Sequence, residues 1–135
     1  MKTRTTITAL LLLLLATFSG CSKIEIDARN QFTGRYAVEE FNYIDGSLLY
    51  YDLRIRKVAE SDDEIVFENF FNAGINVYGV VVGTRVYIEA QTNGIFWVEG
   101  QGTLSGDVLN MAYFVVATIG QSTYDHDIIA TLTKY

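Results

Sequence analysis

From Phe32 to the C-terminus, apolar and polar residues alternate with a period of two, and no stretch of ten residues carries helical apolar spacing. Turn signals cut this alternation into eight predicted strands. The first runs from about Phe32 to Tyr43 and ends at Asp45-Gly46, a pair suited to a tight hairpin because both central positions take φ > 0. The second covers Leu48 to Val58, with Tyr51, Leu53 and Ile55 on one face and Asp52, Arg54 and Arg56 on the other. An acidic loop, Glu60-Ser61-Asp62-Asp63, follows. The third strand is Glu64 to Phe71, and the fourth is Ile75 to Val82, turned by Gly83-Thr84. The fifth is Arg85 to Gln91, with Val86, Ile88 and Ala90 opposite Tyr87 and Glu89, and Asn93-Gly94 turns it. The sixth spans Ile95 to Leu104 and turns at Ser105-Gly106-Asp107. The seventh is Val108 to Thr118 and the eighth Thr123 to Thr133.

Every connection is short, so sequential strands pair as an antiparallel meander. The chain has no proline, which long ladders exclude from their interiors. Eight strands of this length cannot stay open with two free edges. The predicted fold is all-β: an eight-stranded antiparallel up-and-down barrel. A barrel of this size has an interior that side chains fill or that holds one small ligand. A two-sheet sandwich is the alternative architecture.

The first twenty residues read as an address. Lys2 and Arg4 precede a dense apolar run, Ile7 to Ala16, that includes Leu10 to Leu15 and ends in Thr17, Ser19 and Gly20. That is the layout of a secretory signal. The run is shorter than the roughly 20 residues a spanning helix needs, so a retained short anchor is the lesser alternative. Phe18-Ser19-Gly20-Cys21 resembles a bacterial lipobox, which implies cleavage before Cys21 and acylation of that cysteine. An ordinary cleavage site ahead of a free thiol is the competing reading. The expected organisation is a lipoprotein signal over 1–20, a lipidated tether over 21–30, and a barrel over 31–135. Several acyl chains give stable anchoring where one is marginal. Ser22 stands where aspartate would resemble an inner-membrane retention signal, and Glu25 and Asp27 loosely resemble the export signal of surface lipoproteins in the Bacteroidota. The expected location is the bacterial envelope, at either face of the outer membrane.

Phe32-Thr33-Gly34-Arg35-Tyr36 resembles the F-x-G-x-W opening strand of lipocalin-like barrels, with Tyr36 in the tryptophan position. Lys134 stands where that family often carries an arginine stacked over the tryptophan. Ile65-Val66-Phe67-Glu68-Asn69-Phe70, Gln91-Thr92-Asn93-Gly94 and Gly100-Gln101-Gly102-Thr103-Leu104-Ser105-Gly106 are similar to stretches of small Bacteroidota lipoproteins with lipocalin-like barrels and no assigned role. The resemblance spans most of Phe32 to Tyr135. It implies fold and compartment, and little chemistry.

The formal net charge is −6, and cleavage before Cys21 leaves 8 basic and 16 acidic side chains, net −8. A nucleic-acid binder needs the opposite sign, and so does a domain drawn to anionic lipid. One cysteine excludes a disulfide scaffold and a multi-cysteine metal site. The single histidine, His126, lies between Asp125 and Asp127 on a strand, so neither neighbour shares its face. With one histidine and a cysteine assigned to lipid, no zinc set is available. Asp62, Asp63 and Glu64 lack the alternate spacing of a calcium loop and read as solvated. No phosphate-binding glycine loop precedes a helix. The chain reads as non-enzymatic, with no cofactor and no metal.

Gly100 and Gly102 share a face with Phe96, Val98 and Leu104. Inward, they either permit sharp coiling or leave room for a ligand. Tyr36, Tyr51, Asn69, Tyr113, Tyr124 and His126 project onto the same interior. Four inward tyrosines need hydrogen-bond partners, from each other, from buried water or from a small molecule. These eight positions are the candidate ligand site. Tyr50-Tyr51, Phe70-Phe71, Phe96-Trp97 and Tyr113-Phe114 are adjacent aromatics, so one of each pair faces outward. Tyr50, Phe70, Trp97 and Phe114 are therefore the candidate interface. The leading expectation is a membrane-anchored, non-catalytic barrel that binds a small apolar ligand. The alternative is a protein-interaction or inhibitor module working through its outer face or loops, by self-association or with another protein.

Overall fold

Eight strands run from the amino end to the carboxyl end without interruption by helix: β1 (Gly34–Asn42), β2 (Leu48–Lys57), β3 (Glu64–Phe70), β4 (Ile75–Val82), β5 (Arg85–Asn93), β6 (Phe96–Ser105), β7 (Val108–Ile119) and β8 (Ser122–Lys134). The structure is a computed structural model that describes Gly20 and residues 24–135. Cys21 and the signal segment lie outside the described residues. Each strand pairs antiparallel with the next, and β8 returns to β1 to close the barrel. The strand ends fall within two residues of those the alternation predicts.

The inward set is apolar and comes from every strand. Val38, Leu53, Ile55, Phe67, Val77, Val86, Val98, Leu109, Val115, Ile128 and Leu132 are all buried. Gly79, Gly100 and Gly102 mark where the strands curl most tightly. A Cβ at Gly100 would collide with Cβ of Tyr113, and one at Gly102 would lie 2.8 Å from Met111. One at Gly79 would lie 2.7 Å from Val86. The space beside Gly100 and Gly102 is thus occupied by side chains of β7. The glycines serve close packing, and the expected room for a ligand beside them is not there.

One end of the barrel, the base, is plugged. A 3-10 helix, Ala28–Gln31, precedes β1, and Asp27 caps it by accepting from Arg29 N–H at 3.0 Å. Arg29 is buried and forks onto the Asp27 carboxylate at 3.0 and 2.9 Å. This pairing holds the Asp27 carboxyl well below the usual range. Arg29 Nη1 also donates to the carbonyls of Val58, Ser61 and Glu64, bracing the connection between β2 and β3. Phe32 is fully buried beneath the helix, and the Tyr36 hydroxyl donates to its carbonyl at 2.8 Å. Lys134 Nζ stands 5.5 Å from the Tyr36 ring centroid and donates to Gln31 O at 2.6 Å. The barrel body therefore begins at Asp27, and the last four residues of the expected 21–30 tether belong to it.

The β3–β4 hairpin is attached differently from its neighbours. The β2–β3 ladder stops at Arg54↔Glu68, and the β4–β5 ladder stops at Val80↔Tyr87. Beyond those points side-chain amides take the place of peptide groups. Asn69 Nδ2 donates to Asp52 O at 2.8 Å. The Gln91 amide accepts from Tyr78 N–H at 2.8 Å and donates to Tyr78 O at 2.7 Å. Asn93 donates to Asn76 O at 2.9 Å. A bulge between Glu68 and Phe70, with Asn69 at φ 66°, shifts the alternation by one residue. Phe70 therefore turns inward and is buried, not outward as its strand position predicts, and Asn69 leaves the interior for the strand seam. A second bulge, between Ile88 and Gln91, turns Ala90 outward in the same way.

Because Gly100 lies against β7 backbone as well as side chain, Gly100→Ala cannot be absorbed by a rotamer change. It should destabilise the barrel by about 1–3 kcal/mol, the usual cost of overpacking. Urea unfolding monitored by Trp97 fluorescence checks this; an unchanged midpoint would mean the lumen has slack.

Candidate functional site at the open end of the barrel

The end opposite the plug is the mouth. It is bounded by the turns at 43–47, 71–74, 94–95 and 120–121. Just inside it, the inward alternation of β1 places two polar groups where the core would otherwise continue. Glu40 is 2% exposed and accepts a short hydrogen bond from the Tyr51 hydroxyl. Tyr51 in turn accepts from Phe71 N–H at 3.1 Å. Burial pushes the Glu40 carboxyl up to about 7, against a smaller opposing effect of the Tyr51 hydrogen bond.

Asn42 is the second polar group, also buried. Its Oδ1 accepts from Ile44 N–H at 3.1 Å and Asp127 N–H at 3.3 Å, which settles the orientation of the amide. Nδ2 must then donate to His126 Nδ1, 3.0 Å away. The neutral His126 ring consequently carries its proton on Nε2. Phe71, at φ 57°, lies over this cluster with its ring 5.0 Å from His126 and 6.0 Å from Phe96. The hairpin tip thus lids the mouth, held by the chain Phe71, Tyr51, Glu40.

Around the lid stands a crown of exposed apolar residues. Tyr43 and Ile44 come from the first turn, and Leu48, Leu49 and Tyr50 from the start of β2. Ile95 of the third turn, Ile119 at the end of β7 and Tyr124 near the start of β8 complete it. On the outer wall below the crown, Trp97 and Phe114 meet edge to face at 6.4 Å and are each half-buried by this contact.

The candidate residues from the sequence divide accordingly. Tyr51 and His126 both lie in the mouth, each in contact with Phe71. Tyr113 is inside, 4% exposed, with its ring 4.6 Å from Phe70 and its hydroxyl buried without a partner. Tyr36 is inside but at the base, committed to Phe32 and Lys134. Tyr124 has inward parity but is 51% exposed, because β8 extends past the mouth there. Asn69, Gly100 and Gly102 line no interior space. Tyr50 is exposed and Phe70 is buried, so the outward aromatic set is Tyr50, Trp97 and Phe114. Glu40, Asn42, Phe71 and Phe96 were not among the expected site residues. Period-two spacing from Tyr36 through Val38 marks Glu40 and Asn42 as inward, and a carboxyl on that face was the available signal.

Hollows in the described residues open on the outer wall. One of about 520 Å³ is lined by outward side chains that include Glu39, Gln101, Thr103, Asn110 and Thr131. Among the described residues, no three His, Cys, Asp or Glu side chains gather as a metal-ion set. Comparison with protein-family models, with curated proteins and with solved structures returned no match.

The folded chain holds a proton on Glu40 up to about pH 7, whereas an ordinary glutamate loses it near 4.5. The folded state therefore binds more protons across this window, and stability falls as pH rises through it. The loss should total about 3–4 kcal/mol, since each tenfold difference in proton affinity between the folded and unfolded chains is worth about 1.4 kcal/mol. Glu40→Gln should flatten that slope and be more stable than the parent at pH 8. Chemical unfolding at pH 5, 6, 7 and 8 measures both; an equal slope in the variant would assign the proton to another group.

Proposed function

We propose that this chain is a non-catalytic binding protein, tethered to a bacterial envelope membrane through lipid on Cys21, which presents the open end of its barrel to a protein partner. The observation that carries the reading is the crown, which gathers Tyr43, Ile44, Leu48, Tyr50, Ile95, Ile119 and Tyr124 on the end opposite the N-terminal segment. Apolar side chains concentrated at one end of a small protein mark an interaction site. The filled lumen favours this reading over a ligand carrier with an open cavity. The tether supports it too. From Cys21 to the Asp27 cap is six residues, a reach of roughly 20 Å. A lipid-held barrel would sit base-down with the crown facing away from its membrane. His126 is engaged by an amide and Glu40 by a phenol, an arrangement that shapes the mouth. The lipobox-like Phe18-Ser19-Gly20-Cys21 and the lipocalin-like opening strand support an outer-membrane lipoprotein of that barrel class.

A second reading keeps a small, largely apolar ligand inside the barrel. One observation favours it: the buried Tyr113 hydroxyl has no partner. Bound mass in native mass spectrometry, lost in Tyr113→Phe, would support that reading.

Cys21→Ser should abolish labelling by a fatty-acid probe and release the protein from the membrane fraction, and unchanged labelling would overturn the anchor. Ile44→Ser with Ile119→Ser should leave unfolding midpoints close to the parent, since both side chains are exposed. The same pair should remove co-purification of a partner with the membrane-extracted protein. Val82→Ser, at the base, should leave it intact. The reverse pattern would move the binding face to the base.

A further inference from the structure

We infer that the surface received by the crown is cationic as well as apolar: a protein face that sets lysine or arginine among aliphatic side chains. This rests on the crown as binding face and adds the partner's chemistry.

The cations of the barrel are sorted along its axis, whereas carboxylates occur at both ends, those of the base including Asp27, Asp62, Asp63 and Asp107. Arg29 is in the base plug, Arg35 opens β1, and Arg56 and Lys57 end β2. Arg85 opens β5 and Lys134 ends β8. Arg54 is three residues from the base end of β2. These seven are the described lysines and arginines, and all lie on the base half. The mouth half carries carboxylates: Asp45 in the first turn, Glu99 on β6, and Asp125 and Asp127 on β8, all exposed.

Three of them frame the outer aromatic pair. Glu99 and Asp127 are the cross-strand partners of Phe114 on its two sides, and Asp125 is opposite Val116, which is opposite Trp97. A neutral apolar partner seated on the crown would strip water from these carboxylates and offer nothing in return, a costly arrangement. An anionic lipid surface would be repelled. Mouth-to-mouth pairing of two copies would bring like charges together. A partner bearing cations satisfies the carboxylates, and its cations find the faces of Trp97 and Phe114 as well.

The test uses the full chain in nanodiscs of zwitterionic phosphatidylcholine, with empty discs as the control. Two labelled amphipathic peptides share one leucine pattern, and one carries lysine, the other glutamate, on the polar face. The lysine peptide should bind at least about tenfold tighter, the sum of a few exposed ion pairs, and weaken as salt is raised. Glu99→Gln with Asp125→Asn and Asp127→Asn should remove that preference, while Ile44→Ser with Ile119→Ser should weaken both peptides. Equal binding of the two peptides, or a preference that survives the amide substitutions, overturns the cationic partner. The crown itself still stands in that case if the serine pair weakens binding. Lysine-peptide binding untouched by the serine pair overturns the crown reading instead. Stronger attachment of the crown to anionic than to neutral vesicles would replace the protein partner by lipid. Salt-sensitive dimers abolished by Lys57→Gln with Arg85→Gln would replace it by the base of a second copy.

Discussion

A sheet of eight long strands has two edges, each a row of unpaired peptide groups ready to recruit another chain. The ladder between β1 and β8 removes both edges at once, and much else follows from that closure. Closing so small a barrel demands strong curvature. Gly79, Gly100 and Gly102 supply it by letting β4 and β6 press against Val86, Tyr113 and Met111 with no Cβ between. The side chains that press there also fill the interior, so curvature and a packed lumen arise from the same contacts. Closure also creates two ends, and neither can be finished by strand pairing. At the base, Arg29 and Phe32 supply what the ladder cannot. At the mouth, a bent hairpin tip does.

Most of the fold was legible because the side-chain period of a strand is two and the turns announce themselves. Strand number, order and ends follow from alternation and from Asp45-Gly46, Gly83-Thr84 and Asn93-Gly94. Legibility failed where one residue is inserted. Phe70 and Asn69 exchange faces at a bulge whose residue, Asn69, tolerates φ > 0 but does not by itself declare a bulge. Tyr124 has the parity of a core residue and too much strand beneath it to be one. The base plug was hidden because a four-residue 3-10 helix leaves no periodic trace, although Asp27 two residues before Arg29 is the start of such a cap. The mouth was half legible. Parity points to His126 and Tyr51, and equally to Glu40, whose role rests on its burial and its phenol partner.

The two ends divide the chemistry of the chain between them. The described lysines and arginines lie in the base half with the plug, among carboxylates that include Asp27, Asp62, Asp63 and Asp107. The mouth half carries its carboxylates with no described lysine or arginine among them, together with the crown and the lid. A rigid wall between them holds these sets apart. The buried side chains that fill the interior are the same ones that hold the two ends in register.

The panel formed by the upper half of β3 and β4 is stitched to its neighbours by Asn69, Gln91 and Asn93 in place of peptide ladders. A side-chain rung of this kind contributes about 1 kcal/mol net, far below the free energy that guards a closed barrel as a whole. Opening this panel alone leaves the other ladders intact and keeps β1 joined to β8. Backbone amides of the hairpin therefore belong to a separate cooperative unit, one that exchanges with solvent by local opening while the remainder exchanges only on global unfolding. A cylinder without edges thus retains one place where an edge exists transiently, and the amide side chains set how often.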